Sequence, residues 1–132
     1  MATLAEIRAG LAANLGSITG LQVSAYVLSN PTPPCVEIVP AEVQYDQALA
    51  RGMDTVTMTV RVFVGQASDK GAQQRLDLYL APDGSGSVKA AIESDPTLVR
   101  TVADLHVTSA TGYRVYGDTA LLGCEWTVEV IT

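Results

Sequence analysis

The sequence predicts a single α+β domain: an antiparallel or mixed β-sheet of about five strands, with two to three helices packed mainly on one face. Three observations predict it. Thr55–Val64 reads T-V-T-M-T-V-R-V-F-V, with aliphatic residues at every second position, the repeat of a β-strand. Leu4, Ile7, Leu11, Leu15 and Ile18 recur at the spacing of an amphipathic helix. Two short-linked pairs of strand-like segments flank a pair of helix-like ones. The 132 residues suffice for one ordinary domain and are too few for two comfortable ones. Apolar residues make up 48% of the chain and aromatics only 5%, so the core is expected to be aliphatic.

Each element has a local cause. Thr3 and Glu6 form a T-x-x-E capping-box pattern at the start of a helix over about Leu4–Leu15. Ala5, Ala9, Ala12 and Ala13 are strong helix formers, and Gly16 or Gly20 ends the run. Leu21, Val23, Ala25 and Val27 alternate with polar residues as a first strand. Asn30-Pro31-Thr32-Pro33-Pro34 interrupts it, because proline has no amide for a ladder. Cys35–Val39 reads as a second strand, and Ala41–Asp54 as a long loop joining it to Thr55–Val64 in a hairpin. Ser68 or Asp69 caps a helix to about Leu80, with Ala72, Leu76, Tyr79 and Leu80 inward. After the Pro82–Gly86 turn, Ser87 caps a short helix over Val88–Glu93, which stops before Pro96. His106–Tyr116 follows as a strand, with Val107, Ser109, Thr111, Tyr113 and Val115 expected on one face. Gly117-Asp118 signals a hairpin turn. In the closing strand Leu122, Cys124, Trp126, Val128 and Val130 face one side, and Glu125, Thr127 and Glu129 the other.

Charge narrows the function classes. Eight basic against fourteen acidic residues leave a net charge of −6. That opposes binding to nucleic-acid phosphates or to an anionic membrane surface. Cys35 and Cys124 have no second Cys or His at metal-ligand spacing. Their separation is compatible with a disulfide or with two free thiols. The opening M-A-T-L-A-E-I-R lacks the basic start and apolar run of an export signal. A chain made in the cytoplasm with two buried, reduced thiols is therefore the expectation. No stretch approaches the roughly 18 apolar residues of a membrane span.

Candidate chemistry is sparse. Asp104-x-His106 places an acid and the single histidine close together, but no G-x-S-x-G elbow or other activated nucleophile accompanies them. Gly84-Ser85-Gly86-Ser87 before Lys89 lacks the Walker spacing, and a turn feeding a capped helix explains it. Glu125 and Glu129 share a strand face, as solvent-facing acids commonly do. No catalytic, metal or cofactor site is expected. The segment Glu42–Asp54 is either a solvated hairpin tip or a docking element that orders on a partner. Tyr45, Leu49 and Met53 favour docking, since a merely solvated loop does not require them.

Five stretches carry a family resemblance: M-A-T-L-A-E-I-R-A-G-L-A-A-N-L at the start, G-L-Q-V-S-A-Y-V-L-S-N-P-T-P-P, Y-D-Q-A-L-A-R-G-M-D, L-A-P-D-G-S-G-S-V-K-A-A-I-E, and L-L-G-C-E-W-T-V-E-V near the end. In this order the chain resembles, over nearly its whole length, the tail terminator (tail completion) proteins of long-tailed, non-contractile phages, especially those of actinobacteria. The resemblance implies a sheet flanked by helices and a structural role without catalysis. It implies a homohexameric ring that caps the tail tube, ends tube polymerisation and presents a surface to the head connector. Genomic DNA would only pass through the lumen, and the negative chain would suit a non-adhesive channel. The implied location is the virion neck, after assembly in the host bacterial cytoplasm. The partners implied are further copies of itself, the major tail tube protein and the head–tail connector, with no membrane. Another neck or head-completion protein on the portal side is the alternative, and a small cytoplasmic enzyme using Asp104 and His106 a remote one.

A closed ring uses a heterologous contact, one patch against a different patch. The candidate interface residues are Glu42, Tyr45, Asp46, Gln47, Leu49, Arg51, Met53 and Asp54 from the expected loop. Arg61 and Phe63 join them from the second face of the long strand, where they are expected to meet an adjacent subunit.

Overall fold

In the computed structural model, residues 3–18, 21–24, 34–45, 54–66, 70–84, 86–94, 104–116 and 121–131 are described. The elements are α1 (Leu4–Leu15), β1 (Gln22–Ser24), β2 (Cys35–Gln44), β3 (Thr55–Gln66), α2 (Lys70–Tyr79), α3 (Val88–Ile92), β4 (Asp104–Tyr116) and β5 (Leu121–Ile131). The strands form one mixed sheet in the order β1-β2-β3-β5-β4. Only β1 runs parallel to its neighbour; the other pairs are antiparallel. This is the expected α+β domain.

The alternation in β3 places it at the centre. Val56, Met58, Val60 and Val62 are at most 4% exposed. They share one cluster with Cys124, Trp126, Val128 and Val130 of β5 and with the buried faces of all three helices. Those helical faces are Ile7, Leu11 and Leu15 of α1, Ala72, Leu76 and Tyr79 of α2, and Val88, Ala91 and Ile92 of α3. Two caps behave as the sequence suggests, while the expected Ser68 or Asp69 cap of α2 lies outside the described residues. The Thr3 hydroxyl accepts from the Glu6 amide at 3.2 Å, and Gly16 is the C-cap of α1. The Ser87 hydroxyl accepts from the Ala90 amide and donates to the Ala81 carbonyl, so one side chain starts α3 and closes the turn before it. Asn14 donates to the Ile92 carbonyl at 2.9 Å and ties α1 to α3.

Four local insertions shape the sheet. In β2 pairing passes from Pro40↔Met58 to Glu42↔Thr57, leaving Ala41 as an extra residue. The expected loop over Ala41–Asp54 is corrected here: Ala41–Gln44 continues β2, and Tyr45 directly follows it. Pro40 marks the end of a strand only if its missing amide is needed by the ladder, and β2 has it beside a bulge, where it is tolerated. In β3 pairing shifts between Phe63 and Gly65. Gly65 has φ +140, and a Cβ there would stand 3.3 Å from that of Ala72 on α2. The bulge therefore combines a glycine conformation with a close helix–strand approach.

In β4 the register shifts between Val107 and Ser109 and again between Thr111 and Arg114. The first shift overturns the expected single face. Leu105 and Val107 are buried, whereas Ser109 and Thr111 are exposed, and Ala110 pairs with Trp126. One extra residue reverses the side chains that follow it until the second shift restores the parity, so that Val115 again pairs on the Val107 side, opposite Leu122. The expected first strand is seen at Gln22–Ser24, and its Ala25–Val27 portion lies outside the described residues.

The core assignment predicts a contrast. Leu11→Ala, at a site with no exposure, is expected to lower unfolding free energy by about 3 kcal/mol in urea titration. Leu78→Ala, at 65% exposure, is expected to change it by less than about 0.5 kcal/mol.

Candidate functional site

Among the described residues no helix packs on the other side of the sheet, the open face. Its centre is set by register. Glu37 pairs with Arg61, and Arg61 pairs with Glu125, so three adjacent strands bring these side chains to one row. The Arg61 Nη1 donates to Glu37 Oε1 at 2.8 Å, and its Nε donates to Glu125 Oε1 at 3.0 Å. Glu37 is 2% exposed. A carboxylate that dry requires a charged partner, and the planar guanidinium reaches two acids at once. Arg61 is therefore engaged within its own subunit.

Phe63 lies further along the same strand. It is 6% exposed and forms a second, smaller cluster with Cys35 and Leu121. Little of its ring reaches the surface. Beyond the Arg61 row, Thr55, Thr57, Thr59, Thr127 and Glu129 are half-buried on the open face. Pairing adds Glu42 opposite Thr57 and His106 opposite Glu129. The result is a surface rich in threonine and carboxylate.

The other interface candidates divide into three groups. Glu42 and Tyr45 are exposed at the end of β2, Tyr45 by 71%. Glu42 accepts from Gln44 Nε2 at 3.0 Å. Asp54, just before β3, is 5% exposed. Asp46, Gln47, Leu49, Arg51 and Met53 lie outside the described residues.

The outer edge of β4 is capped from the helical side. Glu93, just past α3, accepts the Val107 amide through Oε2 and a Lys89 N–H through Oε1. Burial raises the Glu93 carboxyl, but Lys89, the Val107 amide and the nearby His106 outweigh it and hold it below its ordinary value of 4.5. The Lys89 side chain is thereby committed to an i,i+4 ion pair. Asp104 and His106 are both exposed on β4, and Asp104 Oδ1 accepts its neighbour Leu105 amide. Among the described residues, no three or more His, Cys, Asp or Glu gather as a metal site. Cys35 and Cys124 are free thiols, both buried. The Cys124 thiol donates to the Thr111 carbonyl, and burial raises its pKa. No described helix is long and apolar enough to cross a membrane.

No protein-family model matches the chain, and no curated protein matches it either.

Sequence reading missed Glu37 and Glu93. Glu37 left one signal, a lone acid inside the apolar run C-V-E-I-V. A buried strand tolerates an acid only where a cation stands opposite. Glu93 stands four residues after Lys89, but its bond to Val107 joins positions fourteen apart and depends on the fold.

Two predictions follow from these bonds. Arg61→Met is expected to cost about 3 kcal/mol, because it removes the cation paired with a buried carboxylate. Glu125→Gln, whose side chain is more exposed at 22%, is expected to cost about 1 kcal/mol or less; urea unfolding at neutral pH measures both. Glu93 has a depressed folded pKa, so its stabilisation is full above about pH 4.5 and fades as pH falls through the lower folded value. Glu93→Gln is expected to be less stable than the parent by about 1 kcal/mol at neutral pH, with the gap closing below about pH 4. Thermal melts across pH give the difference.

Proposed function

We propose that the chain is the subunit of a hexameric ring at the neck of a long-tailed, non-contractile phage. The ring caps the tail tube, ends its polymerisation and offers the docking surface for the head connector, while genomic DNA passes through its lumen. Two things support this reading. The first is the ordered, whole-chain sequence resemblance to tail terminator proteins. The second, which carries the structural side, is the uneven dressing of the sheet. One face is covered by three helices, and the other carries threonines with Glu42, Glu125 and Glu129 beside the smaller buried cluster of Cys35, Phe63 and Leu121.

A face of that kind suits a channel wall. Carboxylates repel phosphate, and threonine rows offer neutral polar cover, so a moving duplex finds no basic patch to hold it. The helical layer then faces outward, and the two sheet edges face neighbouring copies. Strand ends point along the ring axis, toward tube on one side and connector on the other. Growth stops because the two ends of the subunit are unlike, and only one complements a tube subunit. The ring works by shape and charge, with no bond made or broken.

Deleting the gene from the phage genome and imaging the lysate tests this. Abnormally long tubes without heads are expected. Tubes of normal length joined to capsids would overturn the proposal.

A further inference from the structure

A recess of about 150 Å3 is lined by Lys89 of α3, Val107 and Ala110 of β4 and Trp126 of β5. Trp126 is the single tryptophan of the chain and is 2% exposed. One carboxylate ties two of these walls together. Glu93, just past α3, accepts a Lys89 N–H through Oε1 and the Val107 amide through Oε2 at 3.0 Å. Lys89 and Val107 are therefore joined through Glu93.

The two sides of this tie differ in firmness. On the α3 side, Val88, Ala91 and Ile92 are buried, and Asn14 of α1 donates to the Ile92 carbonyl. On the β4 side, pairing with β5 is interrupted between Val107 and Ser109, which leaves Thr108 without a register partner. Thr108 is held there by its hydroxyl, which donates to the Thr127 carbonyl at 3.3 Å. Loss of the Glu93 bonds is thus felt first at the bulge, where the ladder is already broken.

Few charged groups act on the carboxyl. Burial raises it, while Lys89 of α3, the Val107 amide and His106 of β4 lower it, and the balance lies below the ordinary 4.5. The polar contact of α1 to this end of α3 is Asn14, which does not titrate. The bonds that keep the carboxyl ionised in the closed recess are the ones that protonation weakens.

We propose that Glu93 is an acid-released latch on the Trp126 recess: ionised, it bridges α3 to β4 and keeps solvent from the indole; protonated, it frees β4 at the bulge and admits solvent. The latch is closed above about pH 4.5 and opens as pH falls through the lower folded value. It is a property of the single chain and does not depend on the ring reading.

Two readouts on the intact chain, taken from about pH 7 to about pH 3, test it. Exchange of the Val107 amide, corrected for its intrinsic rate, is expected to rise about tenfold as a charge-assisted bond is lost. Acrylamide quenching of Trp126 fluorescence is expected to rise over the same range, while far-UV circular dichroism holds. Glu93→Gln is expected to show the faster exchange already at neutral pH, with no step on acidification. Lys89→Met keeps the carboxylate and removes its cation, so the step remains and its midpoint moves up in pH. A merely structural contact would not move that midpoint, and it decides the matter should Glu93→Gln fail to fold. A parent without a step, a step that persists in Glu93→Gln, or an unmoved midpoint in Lys89→Met would overturn the proposal. So would a step accompanied by loss of circular dichroism, because the event is then global unfolding.

Discussion

One guanidinium held between two carboxylates across three strands allows the central strand to have two unlike faces. On one side β3 is aliphatic and supports the whole helical layer. On the other, Glu37 is as dry as the core, and Arg61 is the cation that meets its charge at 2.8 Å. The row therefore fixes β2, β3 and β5 in register from the polar side as the valines do from the apolar side. Buried ion pairs seldom add much net stability, but they penalise any other arrangement of the groups involved. A one-residue slip would bury charges against the helices and expose the valines.

The parts of the fold legible in the sequence are those with local causes. Thr3 and Ser87 announce helix starts, and the alternation of β3 and β5 announces strands and their core faces. Bulges were hidden, because an inserted residue is defined only against its partner strand. Pro40 therefore read as a strand end, and Ser109 read as a companion of Val107. The candidate interface was legible in part. Tyr45 stood out as an aromatic among polar neighbours, and it is exposed. Arg61 and Phe63 also stood out, but their partners Glu37, Glu125, Cys35 and Leu121 come from other strands that only the register brings close.

The sheet's edges connect this architecture to the proposed role. A thirteen-residue edge strand such as β4 invites pairing with any extended chain. Its two register shifts and the Glu93 cap turn that liability into a defined surface. The first of these shifts also places Ala110 opposite Trp126, beside a recess of about 150 Å3. About 40 Å of unguarded strand would favour open-ended aggregation.

The claim that copies join through their sheet edges is tested most directly by amide hydrogen exchange on the purified chain, dilute and assembled. Added protection confined to Val43–Tyr45 and to the Thr108–Thr111 stretch of β4, with α1 and the Arg61 row unchanged, is the predicted pattern. Protection appearing instead on the exposed side of α1 or α2, with both edges unaltered, would contradict it.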